Sequence, residues 1–350
     1  MSDFTGLEEQ LNVERRKVDV GEVSFSVREI VRMYEEGDLT IAPAYQRKYR
    51  WPAEIASKFI ESLFLGLPIP PVFVATNDDF EWEVVDGLQR ISTLIYFVST
   101  STETLSAIGR THPLKLSGLN KLTQLNDISY VDLPVNLQRY LNRQPIQLTS
   151  LTDKSDKEVR FDLFERLNSG AIALTPQEVR SSVYKGKFID FLETLSENRD
   201  LQSLLKLQTL NQSDGTAAEQ VLKFYAYKNS QNSFNGAVSK FLNDYTAETQ
   251  SGFDYQNERQ IFEEAMNTLS SILQGGYFLR KNTNVTPLVQ FEACAVAVGQ
   301  IIEKGEIVIP PSGDWINDKV LVDSSTGGTN TKAMLRRRIE RAVEIFSGNE

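Results

Sequence analysis

The stretch that most constrains the fold runs from residue 67 to residue 101: LPIPPVFVAT, NDDF, EWEVVDG and LQRISTLIYFVSTS. Pro68, Pro70 and Pro71 bar a helix at its start. The β-branched and aromatic run behind them reads as a strand. Asn77 and Asp78 supply turn residues and EWEVVDG returns as a second strand, so the two form a β-hairpin. The hydrophobic period then changes from two to 3.6, with Ile91, Leu94, Ile95 and Val98 on one helical face. A hairpin that runs straight into a helix needs a mixed layer of strand and helix, so the fold class expected is α+β.

The flanks carry their own punctuation. Residues 1 to 22 are polar and read as a loosely docked arm. SVREIVRMYEEG reads as a helix, with Ser26 and Glu29 spaced for a capping box and Gly37 as its stop. DLTIAPAYQRKYRW looks extended. Pro52 suits the first turn of PAEIASKFIESLFLG, whose Ile55, Phe59, Ile60 and Leu63 share a face and which Gly66 closes. Residues 101 to 150 are mixed and read as short strands and loops. SDKEVRFDLFERLNSG is a helical pattern. TPQEVRSSVYKG is a second one, opened by Thr175 as cap, Pro176 at the first position and Glu178 completing the box. From about residue 190 the pattern is mostly helical. The expected organisation is an arm at 1–22, an α+β domain at 23–190 and an α-helical domain at 191–350.

Rare residues exclude several chemistries. The 350 residues hold one cysteine, Cys294, and one histidine, His112. Disulfide frameworks and thiolate zinc sites are therefore out, and Cys294, within an apolar helical run, reads as a buried inert thiol. Zinc hydrolysis of the HExxH kind needs two histidines. His112, in a loop before a proline, reads as a surface residue. The net charge of −10 argues against wholesale coating of nucleic acid but leaves room for a local basic face. No apolar run reaches membrane-spanning length, and the N-terminus lacks the apolar core of a signal peptide, so a cytoplasmic protein is expected.

Four stretches could carry chemistry. At Asp86-Gly87-Leu88-Gln89-Arg90 a strand meets a helix. Glycine allows a close approach to the backbone, the helix N-terminus favours an anion, and Arg90 adds a fork of donors suited to phosphate. Asp86 could hold a magnesium ion or orient a water. The plain structural reading is a glycine turn with an exposed arginine. Tyr45-Gln46-Arg47-Lys48-Tyr49-Arg50-Trp51 interleaves cations with aromatics, as a phosphate- or DNA-facing edge does, or as packed rings with solvated cations do. Arg166, Asn168 and Gly170 end a helix, either as a cap or as donors toward a nucleotide. On the last helix Lys332, Arg336, Arg337, Arg338 and Arg341 either contact DNA phosphates or pair with Glu340 and Glu344.

In this order, AYQRKYRW, FIESLFLGLPIPPVFV, EVVDGLQRISTL and FERLNSGAIALTPQEVR resemble the N-terminal domain of GmrSD-type restriction endonucleases, a family also described as having a ParB/sulfiredoxin-like nuclease fold. The resemblance spans about residues 24 to 190. It implies a ParB/sulfiredoxin-like domain followed by an α-helical domain, and a nucleotide-handling module of a DNA restriction or anti-phage defence system. The family's DGQQR motif, its NTP-binding and hydrolysis signature, falls on Asp86, Gly87, Gln89 and Arg90, with Leu88 in place of the first glutamine. Its QR-x-x-x-W segment falls on Gln46, Arg47 and Trp51, and its R-L-N-x-G loop on Arg166, Leu167, Asn168 and Gly170.

The resemblance thus implies a nucleotide pocket of Gln46, Arg47, Gly87, Arg90, Arg166 and Asn168. Asp86, Gln89 and Arg90 would be catalytic and Asp86 the ligand of a magnesium ion. Lys48, Arg50, Arg336, Arg337 and Arg338 are the candidates for DNA. A leucine makes none of an amide's hydrogen bonds, so binding is expected to survive at Leu88 while hydrolysis does not. Many relatives carry a histidine-dependent HNH nuclease domain, which one histidine cannot complete, so a separate nuclease or effector subunit is expected, with a second copy of the chain as a further partner. Two other readings stay open: a DNA-binding module without catalysis, and a ParB-fold nuclease in its own right with Asp86 among its metal ligands.

Overall fold

The computed structural model describes residues 6–7, 10–11, 13, 19–41, 49–76, 80–151, 161–163, 166, 175–208, 214–249 and 252–348. The chain divides into two compact units, residues 1–173 and 174–350; composition alone put the seam near residue 190.

Among its described residues unit 1 has five strands: β1 (Val20–Ser26), β2 (Leu39–Thr40), β3 (Val72–Thr76), β4 (Trp82–Asp86) and β5 (Pro145–Leu151). Their order in the sheet is β1-β5-β3-β4-β2. β5 runs antiparallel to β1 and parallel to β3, β3 and β4 form the antiparallel hairpin, and β2 lies parallel to β4. The α-helices assigned among its described residues include α1 (Val27–Glu36), α2 (Ala53–Phe64), α3 (Leu88–Val98), α4 (Thr102–Ala107) and α5 (Val135–Asn142). Val72, Val74 and Leu148 from the strands and Ile30, Ile60, Ile91, Leu94 and Ile95 from the helices are fully buried, which fixes the sheet against its helices. The class is mixed α+β, as the hairpin-to-helix run requires.

Several local expectations hold and several are corrected. Ser26 caps α1 by accepting from the Glu29 amide at 3.2 Å, and Gly37 ends it in the left-handed region at φ 90°. The other half of the box is not made, because the Glu29 carboxylate accepts from Arg32 instead. Pro52 sits at the cap of α2 rather than inside its first turn. The buried stripe of α2 is Ala56, Phe59, Ile60 and Leu63, while Ile55 is 47% exposed. Residues 101–150, read as strands and loops, fold as α4, α5, two 3₁₀ turns and the single strand β5. The arm was drawn too long, since Val20 already pairs with Leu151. Asn77 and Asp78 lie outside the described residues, as does most of the helix expected from residue 155, of which 161–163 and 166 are described and helical.

Among its described residues unit 2 holds helices and no strand: α6 (Pro176–Val183), α7 (Lys187–Ser196), α8 (Arg199–Leu204), α9 (Thr216–Ser230), α10 (Val238–Thr249), α11 (Tyr255–Ile272), α12 (Leu288–Glu303), α13 (Lys319–Ser324) and α14 (Lys332–Phe346). The start of α6 forms a complete capping box. The Thr175 hydroxyl accepts from the Glu178 amide and the Glu178 carboxylate accepts from the Thr175 amide, with Pro176 in the first turn. α12 is buried along most of its length, and Gly299 lets it approach α9 so closely that a Cβ there would lie 2.6 Å from the Phe224 ring. Two buried lysines are matched by carboxylates: Lys223 lies between Glu219 at 2.9 Å and Glu292 at 3.0 Å, and Lys228 between Glu258 at 3.2 Å and Glu303 at 2.6 Å. Such pairing offsets the desolvation of each charge. Cys294 is fully buried, and burial pushes its thiol well up, as an inert structural cysteine requires.

Candidate functional site

The strand-to-helix junction of unit 1 departs from regular geometry at two residues, one on either side of Asp86. Phe73 pairs with Asp86 but Val74 pairs with Val84, so Val85 is an extra residue on β4. A bulge of this kind breaks the alternation of the strand and re-aims the next side chain. Val84 and Val85 are both buried, and the Asp86 side chain emerges 38% exposed. Gly87 follows at φ 98° as the cap residue of α3, and a Cβ there would lie 2.8 Å from Val72 Cγ2 and 3.2 Å from Arg90 Nη2. Both the φ and the crowding demand glycine. No side chain caps α3 and its first turn holds no acidic residue, so this helix end keeps the electropositive character that draws anions.

Arg90 is not a free arm. Its Nη2 donates to Asp86 Oδ2 at 2.7 Å, and its Nη1 donates to the carbonyls of Pro71, at 3.0 Å, and Pro70. The side chain is 15% exposed. Burial lowers the guanidinium pKa while Asp86 opposes that shift. The pair therefore braces the proline-rich linker against the start of α3, and a phosphate would meet an arginine whose charge is already balanced.

Gln89 has a second bracing role. Its Oε1 accepts from the backbone amides of Arg50, at 2.9 Å, and Trp51, at 3.2 Å. One turn on, the Thr93 hydroxyl donates to the Gln89 carbonyl at 2.7 Å and accepts from the Tyr49 hydroxyl at 3.0 Å. Tyr49 is buried, and burial pushes its hydroxyl up to about 12, so it stays a donor across the ordinary pH range. Gln89, Thr93 and Tyr96 are spaced four and three residues apart, hence on one face of α3. That face receives the segment 49–51, the end of the QR-x-x-x-W segment. Arg110 closes the arrangement, with its guanidinium 4.7 Å from the Tyr49 ring centre and 5.3 Å from that of Tyr96. Sequence reasoning did not single out Arg110; its neighbour His112 is exposed, as expected of a loop residue before a proline. The available signal was Gly109, a left-handed residue after a short helix, which redirects whatever follows it.

The structure thus brings Asp86, Gly87, Gln89, Arg90 and the backbone of Arg50 together in unit 1, with the Arg50 side chain exposed. Gln46, Arg47, Lys48, Asn168 and Gly170 lie outside the described residues, and Arg166 is exposed on a helical residue. Leu88 is half-buried in the first turn of α3. On α14, Arg336 and Arg337 are exposed, whereas Arg338 is a correction. It is 1% exposed, and its Nη1 donates to the Thr329 carbonyl at 2.8 Å, so it holds a loop and faces no DNA. Arg341 takes the alternative reading, pairing with Glu344 at 2.9 Å and Asp318 at 3.0 Å. Among the described residues no three His, Cys, Asp or Glu side chains cluster as a metal site, and no helix is long and apolar enough to cross a membrane. Magnesium is nonetheless compatible with one carboxylate, because it is commonly held by one or two acidic groups together with substrate phosphates.

No curated protein and no solved structure matches the chain in a similarity search. Residues 27–185, the segment that contains the junction, the braced linker and the box at Thr175, match the family model of the GmrSD restriction endonuclease N-terminal domain.

Proposed function

We propose that this chain is a nucleotide-binding sensor or regulatory component of a DNA restriction or anti-phage system, with a ParB/sulfiredoxin-like unit 1 that binds an NTP at the start of α3. The observation that carries this reading is the bulged, glycine-capped junction at Asp86-Gly87, inside the matched segment and next to the fastened 49–51 strip. A phosphate at that end of α3 would meet helix amides, with Arg90 beside them. Magnesium, held by Asp86 and the phosphates, would supply neutralisation of charge building on the transferred group. Asp86 would orient the attacking water from its half-exposed position. Leu88 leaves this set without the family's first amide, so binding is expected to be stronger than turnover. Any HNH-type cut is assigned to a nuclease outside these 350 residues, which hold a single histidine.

Isothermal titration with each of the four NTPs and magnesium tests the reading on the folded protein. Binding of at least one with submillimolar affinity is expected, and no binding of any refutes it. A DNA-binding reading keeps one observation in its favour, the exposed Arg336 and Arg337 on α14. Affinity for duplex DNA that falls steeply with salt, and falls further in an Arg336→Ser, Arg337→Ser double variant, would establish it.

A further inference from the structure

Arg110 stands out among the cations of unit 1 by what surrounds it. Arg90 is balanced by Asp86. Arg110 has no carboxylate within ion-pair reach among the described residues, and its Nε is buried without a hydrogen-bond partner. Among the described residues its one side-chain hydrogen bond is long, from Nη2 to the Trp51 carbonyl at 3.4 Å. An unsatisfied buried donor on a charged group is costly, and such groups are rare without a functional or solvent partner. The fold nevertheless aims the side chain with care. α4 ends in a left-handed Gly109, with the Arg110 amide bonded back to the Leu105 carbonyl at 2.8 Å. This stop turns Arg110 over the rings of Tyr49 and Tyr96, two planes set 70° apart, which hold a guanidinium in place without neutralising it.

The position matters as much as the charge. Arg110 bonds to the carbonyl of Trp51 and Gln89 to the amide of the same residue, so the two side chains hold the successive peptides on either side of Trp51. Arg110 is half-exposed, so a ligand can reach the guanidinium. We propose that Arg110 is a phosphate-binding residue of the unit 1 site, supplying the uncompensated positive charge that Arg90 does not. The proposal rests on the nucleotide reading above and adds to it a residue outside every motif that carried the resemblance. The two tyrosines pre-order the guanidinium, so a phosphate oxygen bonds to its free donors without first ordering a long side chain.

The test compares the full chain with Arg110→Met and Arg110→Lys, using three probes: an NTP that binds, its nucleoside, and inorganic tripolyphosphate. Arg110→Met is expected to weaken NTP and tripolyphosphate about 10- to 100-fold and to leave the nucleoside unchanged. Arg110→Lys is expected to recover part of the loss. The ratio of NTP to nucleoside affinity is the deciding readout, because a variant that is merely part-folded lowers both alike. An unchanged ratio in Arg110→Met overturns the proposal, as does equal loss in Arg110→Met and Arg110→Lys with a matching fall in thermal midpoint. If the wild-type chain binds tripolyphosphate through Arg110 but no NTP, the nucleotide reading falls and Arg110 stands. If it binds neither, both fall.

Discussion

Replacing Gln89 by leucine separates bracing from catalysis at the centre of the site. In the native chain Gln89 Oε1 is the acceptor for two backbone amides, those of Arg50 and Trp51. Leucine keeps the bulk and helix propensity but accepts nothing. Each lost bond is worth about 1 kcal/mol net, so the strip 49–51 is expected to lose about 2 kcal/mol of its hold on α3. At about 1.4 kcal/mol per decade, that is a roughly 30-fold fall in amide protection for Arg50 and Trp51, read by hydrogen exchange. Amides inside α3 itself are expected to change far less, because its own ladder is intact. Gln89→Glu supplies the control. It keeps an acceptor, now charged, so protection is expected to be retained or raised. If the amide NH₂ of Gln89 also touches the nucleotide, Gln89→Glu loses turnover while keeping protection. Unchanged exchange at residues 50 and 51 in Gln89→Leu would refute the bracing argument.

Gly87→Ala places a Cβ 2.8 Å from Val72 Cγ2 on a backbone at φ 98°; it is expected to cost about 2–4 kcal/mol, visible in urea melts, and an unaltered midpoint would contradict the crowding. Thr175→Ala removes the acceptor of the Glu178 amide and a bond donated to the Asp214 carbonyl, and is expected to cost about 1–2 kcal/mol by the same measurement. Burial raises the pKa of Asp318, but hydrogen bonds from Arg341 and from the Leu321 amide outweigh it and hold the carboxyl below its usual range. A depressed folded pKa stabilises above the unfolded value of about 3.9 and loses that contribution on acidification. Arg341→Gln is therefore expected to lower the thermal midpoint at pH 7 and to converge with the wild type as pH falls below the unfolded value; a gap independent of pH would exclude the pair as its source.

How much of this was legible in the sequence depended on whether a signal was local. The box at Thr175 and the stop at Gly37 rest on backbone rules that act within four residues, and both appear in place. β1 was missed because an edge strand exposed along most of its length shows no apolar alternation. α4, with six residues, is too short for a period to register. The misplacement of Arg338 was avoidable. Leu335, Arg338, Ile339 and Ala342 follow helical spacing, so an arginine three residues after a buried leucine belongs to the inner stripe. At the site, the glycine and its neighbours were readable as a motif. The Val85 bulge and the Arg90 brace were not, since both depend on which strand lies alongside and where the linker returns. Arg110 escaped for the same reason, because its meaning comes from two rings, Tyr49 and Tyr96, that only the fold brings to it.

The place of β5 in the sheet has a consequence for how the chain comes to be folded. β5 is the last of the described strands of unit 1 to be synthesised, yet it lies between β1 and β3. Its ladder with β1 joins residues 20–26 to residues 145–151. Until residue 151 leaves the ribosome, β1 has no partner and the β3–β4 hairpin carries an open edge, the arrangement that invites association with other nascent chains. Long-range pairing of this kind also slows folding, because the loop must close before any contact rewards it. The junction at Gly87 hangs from that hairpin. A chain interrupted before residue 145 would contain every residue of the Asp86–Arg90 motif and still lack the strand that seats it.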